Sequence, residues 1–438
     1  MDSFSTSIRR IAAQYFFPDP QPGGIHNLPD PNAKIVGILG YDSDDDLALL
    51  EDGSRHPELY FILIDRDQMS IDAQGLVVRF GLVYQDGRLF FVECLPGFRI
   101  DYLVNYNEAP LHGKTLNLPV AVQSWAQDYF WNKDLTSDIL RRAGLLVPRD
   151  ISLVLMRPLA GSSEDILNKS QNPRVDARRA TIPNVVALNR ESLTSRRRPG
   201  FLQAFLAKHE CDLGVFKPNR GGQGVDVHFF EARNLAEKEM EVLTLLRKGV
   251  DVVIQERIVP PLVMKGTQRL DWNLRVFVTR DREGRAIAQE MIVRIGEAGA
   301  PVNRSEGAEI LLLEEVAQLL DWDRLTLQHV REQVLQVSAR AYVVLCNAIA
   351  HDAASGSEAS APDILGLDVI VRQQEDRWQV YIIEMDINPG GACDLNQRLR
   401  IVSRAHHGIG DLSKESLDAR VGGANYAWIR LICDRCNA

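Results

Sequence analysis

The sequence predicts an α/β protein with more than one domain. The chain has 438 residues, and a single hydrophobic core rarely serves more than about 250 to 300 residues. Short apolar runs such as AKIVGILGY at 33–41 and ELYFILIDRD at 58–67 are bounded by turn residues, which is typical of strands. Between such runs lie stretches with apolar residues at helical spacing, for example DLTSDILRRAG at 134–144. Alternating strands and helices indicate this fold class.

The overall composition is that of a globular protein, with 45% hydrophobic and 25% charged residues. A formal net charge of −9 argues against a surface that binds nucleic-acid backbone, although it leaves room for a local basic pocket. The sequence has no run of about 18 apolar residues, so we expect no membrane span. The segment MDSFSTSIRRIAAQYFFPDP lacks an apolar stretch of signal-peptide length, so we expect a cytoplasmic protein.

The cysteines are expected to be free thiols. They are scattered along the chain, at positions 94, 211, 346, 393, 433 and 436, and a chain of this length without an export signal rarely has a disulfide framework. Cys433 and Cys436 form a CDRC pair, but no second CxxC or HxxxH supplies the other ligands of a zinc site. We therefore expect a partly packed pair on the last helix.

Composition also suggests the organisation of the first half. Residues 1–30, rich in Pro and Gly, are expected to form an extended arm, and 31–125 a small α/β domain. Within that domain the acidic run DSDDD at 42–46 is expected to open a helix, with its carboxylates capping the helix and facing water. A new unit begins near 126 and carries a polar, Arg-rich insertion at 157–200. This insertion is interpreted either as a mobile solvated loop or as a lid over an acidic substrate.

The second half predicts two long hairpins. LDWNLRVFVTRDREGRAIAQEMIVRIG, at 270–296, has DREG as its turn, and ILGLDVIVRQQEDRWQVYIIEMD, at 364–386, has QQED. The segment 309–353 between them has apolar residues at helical spacing and predicts two helices.

The end of the last hairpin brings acidic side chains together. Glu384 and Asp386 are two residues apart on a strand and therefore project from the same face. If the strands pair through the QQED turn, Asp368 lies beside them. Three carboxylates in one place repel each other unless a cation neutralises them. Oxygen ligands suit Mg²⁺ or Mn²⁺ rather than zinc. The alternative is a strand end that simply faces water.

A glycine-rich loop follows another strand, in FKPNRGGQG at 216–224. Lys217 ends the apolar run, and Gly221, Gly222 and Gly224 follow around Gln223. Glycines allow backbone N–H groups to converge on an anion, and a fixed lysine adds charge for phosphate oxygens. The P-loop pattern is absent, because no GK[ST] follows the glycines. Alone, this loop fits a tight turn as well as a phosphate site; with a carboxylate metal site downstream, it suggests a nucleoside triphosphate bound through Mg²⁺.

Six motifs, in order, resemble the ATP-grasp superfamily: NKDLTSDILRRAGLLVP, VFKPNRGGQGVDV, VIQERIV, LRVFV, LGLDVIV and IIEMDINPGG. The resemblance covers about residues 126–395. Within the superfamily, DWNLRVFVTRDREGRAIAQEMIVRIG followed by PVNRSEGAE resembles ribosomal-protein glutamate ligases and bacterial glutathione synthetases, and VIQERIVPPLVMKGTQRLDWNLRVFV resembles tubulin–tyrosine ligases. The resemblance to the superfamily implies an ATP-grasp fold with two lobes that clamp ATP: lobe 1 at 126–256, with the insertion, and lobe 2 at 257–398. A C-terminal extension at 399–438 follows.

The resemblance also implies residue roles. Lys133 and Lys217 would contact the α- and β-phosphates, and the loop of Gly221, Gly222, Gln223 and Gly224 would close over them. The adenine site would be lined by Gln255, Glu256 and Ile258, the metal held by Asp368, Glu384 and Asp386, and the migrating phosphate met by Arg275 and Arg294. Asn303, Asn388 and Gly390 would lie near the substrate. The sequence departs from the family at Asp386, where asparagine is usual; aspartate also ligates Mg²⁺.

The implied activity is ATP-dependent joining of a carboxylate to an amine, with ATP and Mg²⁺ as cofactors, small amino-acid or peptide substrates and, from the family, a homodimer. Two alternatives stay open: a phosphotransferase of the same superfamily, and a nucleotide-binding module without catalysis. Retention of Lys133, Lys217 and the three carboxylates argues against the module. The adjacent histidines His406 and His407 are interpreted as surface or capping residues, because neighbours in sequence do not normally face one site.

Overall fold

In the computed structural model of the chain, the described residues are 2–14, 17–26, 32–39, 44–64, 69–72, 75–94, 98–105, 129–155, 178–179, 181–188, 200–220, 224–303, 307–353, 362–375, 377–387, 390–405 and 413–436. Within them the protein is a mixed α/β structure with three main sheets, which confirms the predicted class. Most of the Arg-rich insertion lies outside the described residues, as do both adjacent histidines.

The first sheet occupies the N-terminal part, in the strand order β1-β7-β6-β3-β2-β8. Its strands are β1 (Gln21–His26), β2 (Lys34–Leu39), β3 (Leu59–Ile64), β6 (Phe80–Gln85), β7 (Arg88–Cys94) and β8 (Tyr102–Asn105), and β4 (Met69–Asp72) pairs separately with β5 (Gly75–Val78). β2 pairs in parallel with both β3 and β8 and is apolar on both faces, as a central parallel strand requires. Helix α2 (Asp44–Gly53) packs on β3.

The predicted arm at 1–30 is wrong for the described part. Helix α1 (Asp2–Gln14) buries Ile8, Ile11 and Ala12, which recur at helical spacing, and β1 pairs in parallel with β7. The proline and glycine content suggested an irregular arm, but β1 is an edge strand. An edge strand tolerates Pro22, because the backbone N–H that proline lacks can be one that would face away from the sheet.

The second sheet has the order β10-β9-β13-β11-β12. It consists of β9 (Asp150–Leu155), β10 (Val185–Leu188), β11 (Leu213–Pro218), β12 (His228–Glu231) and β13 (Val252–Glu256). Helices α4 (Phe201–His209) and α5 (Leu235–Arg247) pack their apolar side chains on it, with Phe205 and Leu246 in the same buried cluster as Phe216. Helix α3 (Lys133–Arg142) precedes the sheet, and Gly144, two residues after its end, has a φ of 73° that allows the stop that the sequence predicts.

The third sheet has the order β17-β16-β15-β18-β19, with β14 also paired to β15. Its strands are β14 (Val263–Lys265), β15 (Gln268–Arg280), β16 (Ala286–Glu297), β17 (Glu309–Leu311), β18 (Ile364–Gln374) and β19 (Arg377–Asp386). Both predicted hairpins are present, β15 with β16 and β18 with β19. The predicted helix pair is α6 (Leu313–Leu319) and α7 (Arg324–Ala353).

Helix α7 is long and apolar enough, by length and composition, to cross a membrane. It contacts β15, β16, β18 and β19, and Val330, Val334 and Ile349 on it are buried in the same core as those strands. A core helix passes the same test, so this finding is weak evidence for a span.

The C-terminal part does not begin at 399, because that boundary falls inside helix α8 (Ala392–Arg404). Two further helices follow, α9 (Lys414–Arg420) and α10 (Gly423–Cys436). Trp428 and Ile432 of α10 are buried in the core shared with the third sheet. Cys433 and Cys436 are free and partly buried on α10, as predicted.

Candidate active site

The predicted carboxylates lie in one row across the third sheet. Arg275 on β15 is opposite Asp368 on β18, and Asp368 is opposite Glu384 on β19. Asp386 lies two residues further along β19, opposite Gly366. The register therefore brings together residues that are more than 90 positions apart in sequence. The predicted pairing of Asp368 with the end of the hairpin is confirmed.

Two buried arginines hold Asp368. The Nε of Arg275 donates to Oδ1 of Asp368 at 2.7 Å and a second nitrogen donates to Oδ2 at 3.2 Å, while Arg294 on β16 donates to Oδ1 at 3.3 Å. Burial opposes ionisation of Asp368, but the charges of Arg275 and Arg294 outweigh it and hold the pKa of Asp368 below its usual value. Arg275 also lies 3.7 Å from a carboxylate oxygen of Asp386.

Two lysines reach the same row from the other side of the cleft. Nζ of Lys133, the first residue of α3, is 3.2 Å from Oε1 of Glu384, and Nζ of Lys217, on β11, is 3.7 Å from Oε2. Both lysine side chains are 6% exposed. Burial lowers the pKa of Lys217, an effect that the charge of Glu384 opposes and that of Lys133 increases.

A buried polar network that the sequence reading missed fixes the two lysines relative to each other. Asn219, two residues after Lys217, accepts a backbone bond from Lys133 at 3.3 Å. Its side chain accepts from the N–H of Asp134 at 3.0 Å and donates to the Asp134 carboxylate at 3.1 Å. Arg179 closes the network with a bond of 2.8 Å to Asp134. The start of α3 is thereby tied to the end of β11.

The charges at this site nearly balance. Four cations, Lys133, Lys217, Arg275 and Arg294, face three carboxylates, Asp368, Glu384 and Asp386. Within the described ranges, no three His, Cys, Asp or Glu side chains are grouped so as to hold a metal ion. The carboxylates are instead paired with the cations. The arrangement can exchange partners: phosphate oxygens suit the cations, and a divalent metal suits the carboxylates.

A cavity of about 170 Å³ opens beside the charged row, between the second and third sheets. Its apolar lining includes Val215 and Phe229 from the second sheet and Trp272 and Ile370 from the third. Gln255, at the end of β13, also lines it and is 1% exposed. Neither amide atom of this side chain has a hydrogen-bond partner among the described residues. An unpaired buried amide costs about 1 to 3 kcal/mol, so it suits a ligand that offers both donors and acceptors.

The remaining predicted residues divide into three groups. Ile258 is buried in the cavity lining, whereas the Glu256 side chain pairs with Arg149 at 2.7 Å and with Arg372 at 3.6 Å, so at most its backbone is available. Gly224 packs on Asn303, since a Cβ at Gly224 would lie 3.3 Å from the Asn303 amide nitrogen. The third group lies outside the described residues: Gly221, Gly222, Gln223 and Asn388.

The chain turns sharply after β19. The carbonyl of Gly390 accepts a bond from Arg294 at 3.4 Å, which places that predicted residue beside the charged row. Gly391 has a φ of 118°, and a Cβ there would lie 2.8 Å from Cδ1 of Ile292. Only glycine fits this position without strain.

A wider groove of about 980 Å³ borders the cavity on the side of β12. Its lining includes Arg257, which pairs with Asp271 and lies over the ring of Phe229. Among the described residues, the lining of this groove contains none of the four cations or three carboxylates of the row, whereas Lys217, Arg294, Asp368 and Glu384 line the smaller cavity.

A scan against protein-family models and a search among curated proteins each find no match. Several solved structures are similar. The D-alanine–D-alanine ligase from Coxiella burnetii is 13% identical, with 92% of this chain and 96% of that chain covered and a TM-score of 0.45. A D-cycloserine synthetase is 13% identical, with 92% and 100% covered and a TM-score of 0.46.

A third similar structure is an ADP complex of N5-carboxyaminoimidazole ribonucleotide synthetase. It is 11% identical, with 89% of this chain and 76% of that chain covered and a TM-score of 0.43. At identities and scores of this size, the similarities do not identify the reaction of this chain.

Proposed function

We propose that this chain is an ATP-dependent carboxylate–amine ligase of the ATP-grasp superfamily, which joins an acid and an amine through an acyl phosphate and releases ADP and phosphate. One observation carries the proposal. Lys133 and Lys217 face Arg275, Arg294 and the row of three carboxylates across a cleft between two sheets. Such a set neutralises a triphosphate and its metal on both sides.

The cavity supports ATP as the ligand. Its apolar walls fit a planar base, and the unpaired amide of Gln255 offers one acceptor and two donors to a base edge. Lys217 and Arg294 line the same cavity, so a base among the apolar residues would leave its phosphates near cations that suit them. The glycine loop at 221–224 would lie over the phosphates, in line with the contact between Gly224 and Asn303.

Mg²⁺ is the metal that the three carboxylates would suit once phosphate oxygens replace them beside the lysines and arginines. Asp368, Glu384 and Asp386 supply oxygen donors on adjacent strands, and such donors favour Mg²⁺ or Mn²⁺. We assign these three residues to hold the metal. When bound, it would neutralise charge on the phosphate oxygens and help to orient them.

The chain's own part in the reaction is alignment and charge neutralisation. A carboxylate resists attack by an amine because oxide is a poor leaving group, and phosphorylation by ATP converts it into an acyl phosphate. Lys133 and Lys217 would hold the phosphates that become ADP. Arg275 and Arg294 would meet the migrating group. Burial opposes the charge of Arg275, but Asp368 and Asp386 outweigh it and raise the pKa of Arg275, whereas burial and the charge of Arg275 lower the pKa of Arg294. The amine then attacks the acyl carbon and phosphate leaves.

The substrates proposed for this site are small amino acids or peptides, with Asn303, Asn388 and Gly390 near them, and the proposed location is the cytoplasm. We keep the division into an N-terminal domain and two lobes as a proposal. A homodimer also stays a prediction.

The test is turnover with Mg-ATP over a matrix of acids and amines, read by mass spectrometry. A ligase gives ADP, phosphate and a condensed product only when an acid and an amine are both present. ADP formed with one acceptor and a stable phosphorylated product would instead establish the phosphotransferase. ATP binding without turnover across the matrix would favour the binding module.

A matched pair of variants keeps the result specific. Lys217→Met should remove nucleotide binding and turnover, because it deletes a buried cation of the cleft. Lys265→Met alters a lysine that is 64% exposed on β14 and should leave both unchanged. Equal activity of the two variants would contradict the assignment of the cleft.

A further inference from the structure

The acidic run of the N-terminal domain reaches the site through one carboxylate. Asp45, in the first turn of α2, accepts hydrogen bonds from the backbone N–H of Gly391, at 3.0 and 2.9 Å to its two oxygens, and from that of Cys393 at 3.0 Å. These N–H groups belong to the start of α8, which has no partner for them within the helix. A residue of the N-terminal domain thus caps a helix that begins within lobe 2 of the predicted fold.

The capped peptide group is connected to the charged row. Its N–H, from Gly391, donates to Asp45, and its carbonyl, from Gly390, accepts from Arg294 at 3.4 Å. Arg294 in turn donates to Asp368 at 3.3 Å. A continuous series of hydrogen bonds therefore runs from α2 through the Gly390–Gly391 peptide to Asp368.

The peptide has little freedom on its remaining side. Gly391 lies so close to Ile292 that a Cβ would overlap its side chain at 2.8 Å. The position of Gly390 is therefore fixed by Ile292, by Arg294 and by Asp45. Of these three residues, only Asp45 belongs to the N-terminal domain.

Polar contacts further along the same two helices do not involve the turn. Glu51 of α2 pairs with Arg400 of α8 at 2.6 Å, and the Asn396 amide donates to Asp52 at 3.1 Å. These contacts dock α2 on α8 but lie beyond its first turn. They provide an internal comparison for Asp45.

We propose that Asp45 is a positioning residue for the reaction: by accepting the N–H groups at the start of α8, it holds the Gly390–Gly391 peptide and, through it, Arg294 in the geometry that the migrating phosphate requires. The proposal rests on the proposed function, because it assigns Asp45 a role in that same site. It also makes the N-terminal domain part of the catalytic geometry.

The experiment compares Asp45→Ala, Asp45→Asn and Glu51→Gln in the full-length protein. Asp45→Ala should lower kcat about 10- to 100-fold, since a shift of about 1 Å at a reacting group has an effect of that order. The dissociation constant for Mg-ATP should stay within about two-fold, because Asp45 does not line the nucleotide cavity. Asparagine retains an acceptor and is an equally favoured cap, so Asp45→Asn should restore most of kcat.

Hydrogen exchange provides a readout that needs no substrate. Asp45→Ala should raise amide exchange at Gly391 and Cys393 at least about ten-fold, whereas Glu51→Gln should leave these two amides protected. Glu51→Gln should also keep kcat within about two-fold, although it loosens the same helix pair. A general loosening of the interface would affect both variants alike and would overturn the positioning role.

The outcomes separate this proposal from the function on which it rests. If the wild-type protein turns over no acid–amine pair, the proposed function fails. If the wild type is active and Asp45→Ala keeps its kcat, the positioning role alone is overturned. If Asp45→Asn is as inactive as Asp45→Ala while both amides stay protected, Asp45 acts by direct contact with a ligand and not through α8.

Discussion

Glu384 forms ion pairs with the two lysines that ATP would need, so we expect Glu384→Gln to bind metal-free ATP more tightly than the wild type. In the structure its carboxylate lies 3.2 Å from Nζ of Lys133 and 3.7 Å from Nζ of Lys217. ATP without metal must compete with this carboxylate for both ammonium groups. In the wild type Glu384 would help to hold the metal, and Lys133 and Lys217 would then be available to phosphate oxygens. Binding of metal and nucleotide should therefore be coupled through this side chain.

The size of the effect follows from the contacts. A hydrogen bond to a charged group contributes about 1.5 to 3 kcal/mol net. Glutamine has a similar shape but no charge, so it competes far less for Lys133 and Lys217. Glu384→Gln should therefore bind metal-free ATP about 10- to 100-fold more tightly than the wild type, which corresponds to about 1.4 to 2.8 kcal/mol. The same variant should lose Mg²⁺-dependent turnover.

The assay is calorimetric titration of ATP in EDTA and again in Mg²⁺, with thermal melting as a check of folding. Wild-type affinity should rise on adding Mg²⁺, whereas the affinity of Glu384→Gln should change little. Asp386→Asn is the matched control: it also removes a carboxylate of the row, but one that faces Arg275 at 3.7 Å. It should keep wild-type affinity in EDTA. Equal or weaker metal-free binding by Glu384→Gln would refute the competition, and near-normal turnover would refute the metal role.

Three further predictions concern pH, stability and the turn. As the pH rises, ATP affinity should begin to fall before the pH reaches about 10.4, the ordinary pKa of lysine, because burial lowers the pKa of Lys217 and the free protein therefore loses this charge at a lower pH. Lys217→Arg should keep its affinity over the same range, measured by titration from pH 7 to 10. Asp363→Ala should lower the free energy of unfolding by about 3 to 5 kcal/mol, since this 1% exposed carboxylate pairs with Arg280 at 2.9 Å and with Arg435 at 2.6 Å. Denaturant titration measures this change, and it should show no change for Arg285→Ala, at an exposed turn. Gly391→Ala should cost about 1 to 3 kcal/mol more than Gly299→Ala, because both have positive φ but only Gly391 lacks space for a Cβ; similar melting of the two variants would count against a crowded turn.

Local pattern was sufficient for much of the third sheet. The short turn sets a regular register from Gln374 opposite Arg377 to Val369 opposite Ile382. A β-bulge then shifts the register by one residue and brings Asp368 opposite Glu384, and the sequence pattern did not predict this bulge. Because side chains two apart on a strand share a face, Asp386 could be added without a structure. The stop of α3 was equally local, since it depends on helical spacing and on Gly144.

The N-terminal domain shows where local pattern is misleading. The acidic run was expected to cap its own helix and face water. Asp44, Asp45 and Asp46 do lie in the first turn of α2, but Asp46 is 1% exposed and Asp45 caps α8, more than 340 residues away. A charged residue at a helix start has the same local signature whether it faces solvent or another domain, so the sequence reading could not distinguish the two.

The sequence by itself determined the α/β class, the hairpins and the types of residue available for chemistry, because these depend on spacing along one strand, helix or turn. Only the tertiary structure decided which charges meet: Glu384 with Lys133 and Lys217, Asp134 with Asn219 and Arg179, and Asp45 with the start of α8. Each of these contacts joins segments that are distant in sequence. Their geometry depends on how sheets and helices pack against one another, and that packing is a property of the whole core.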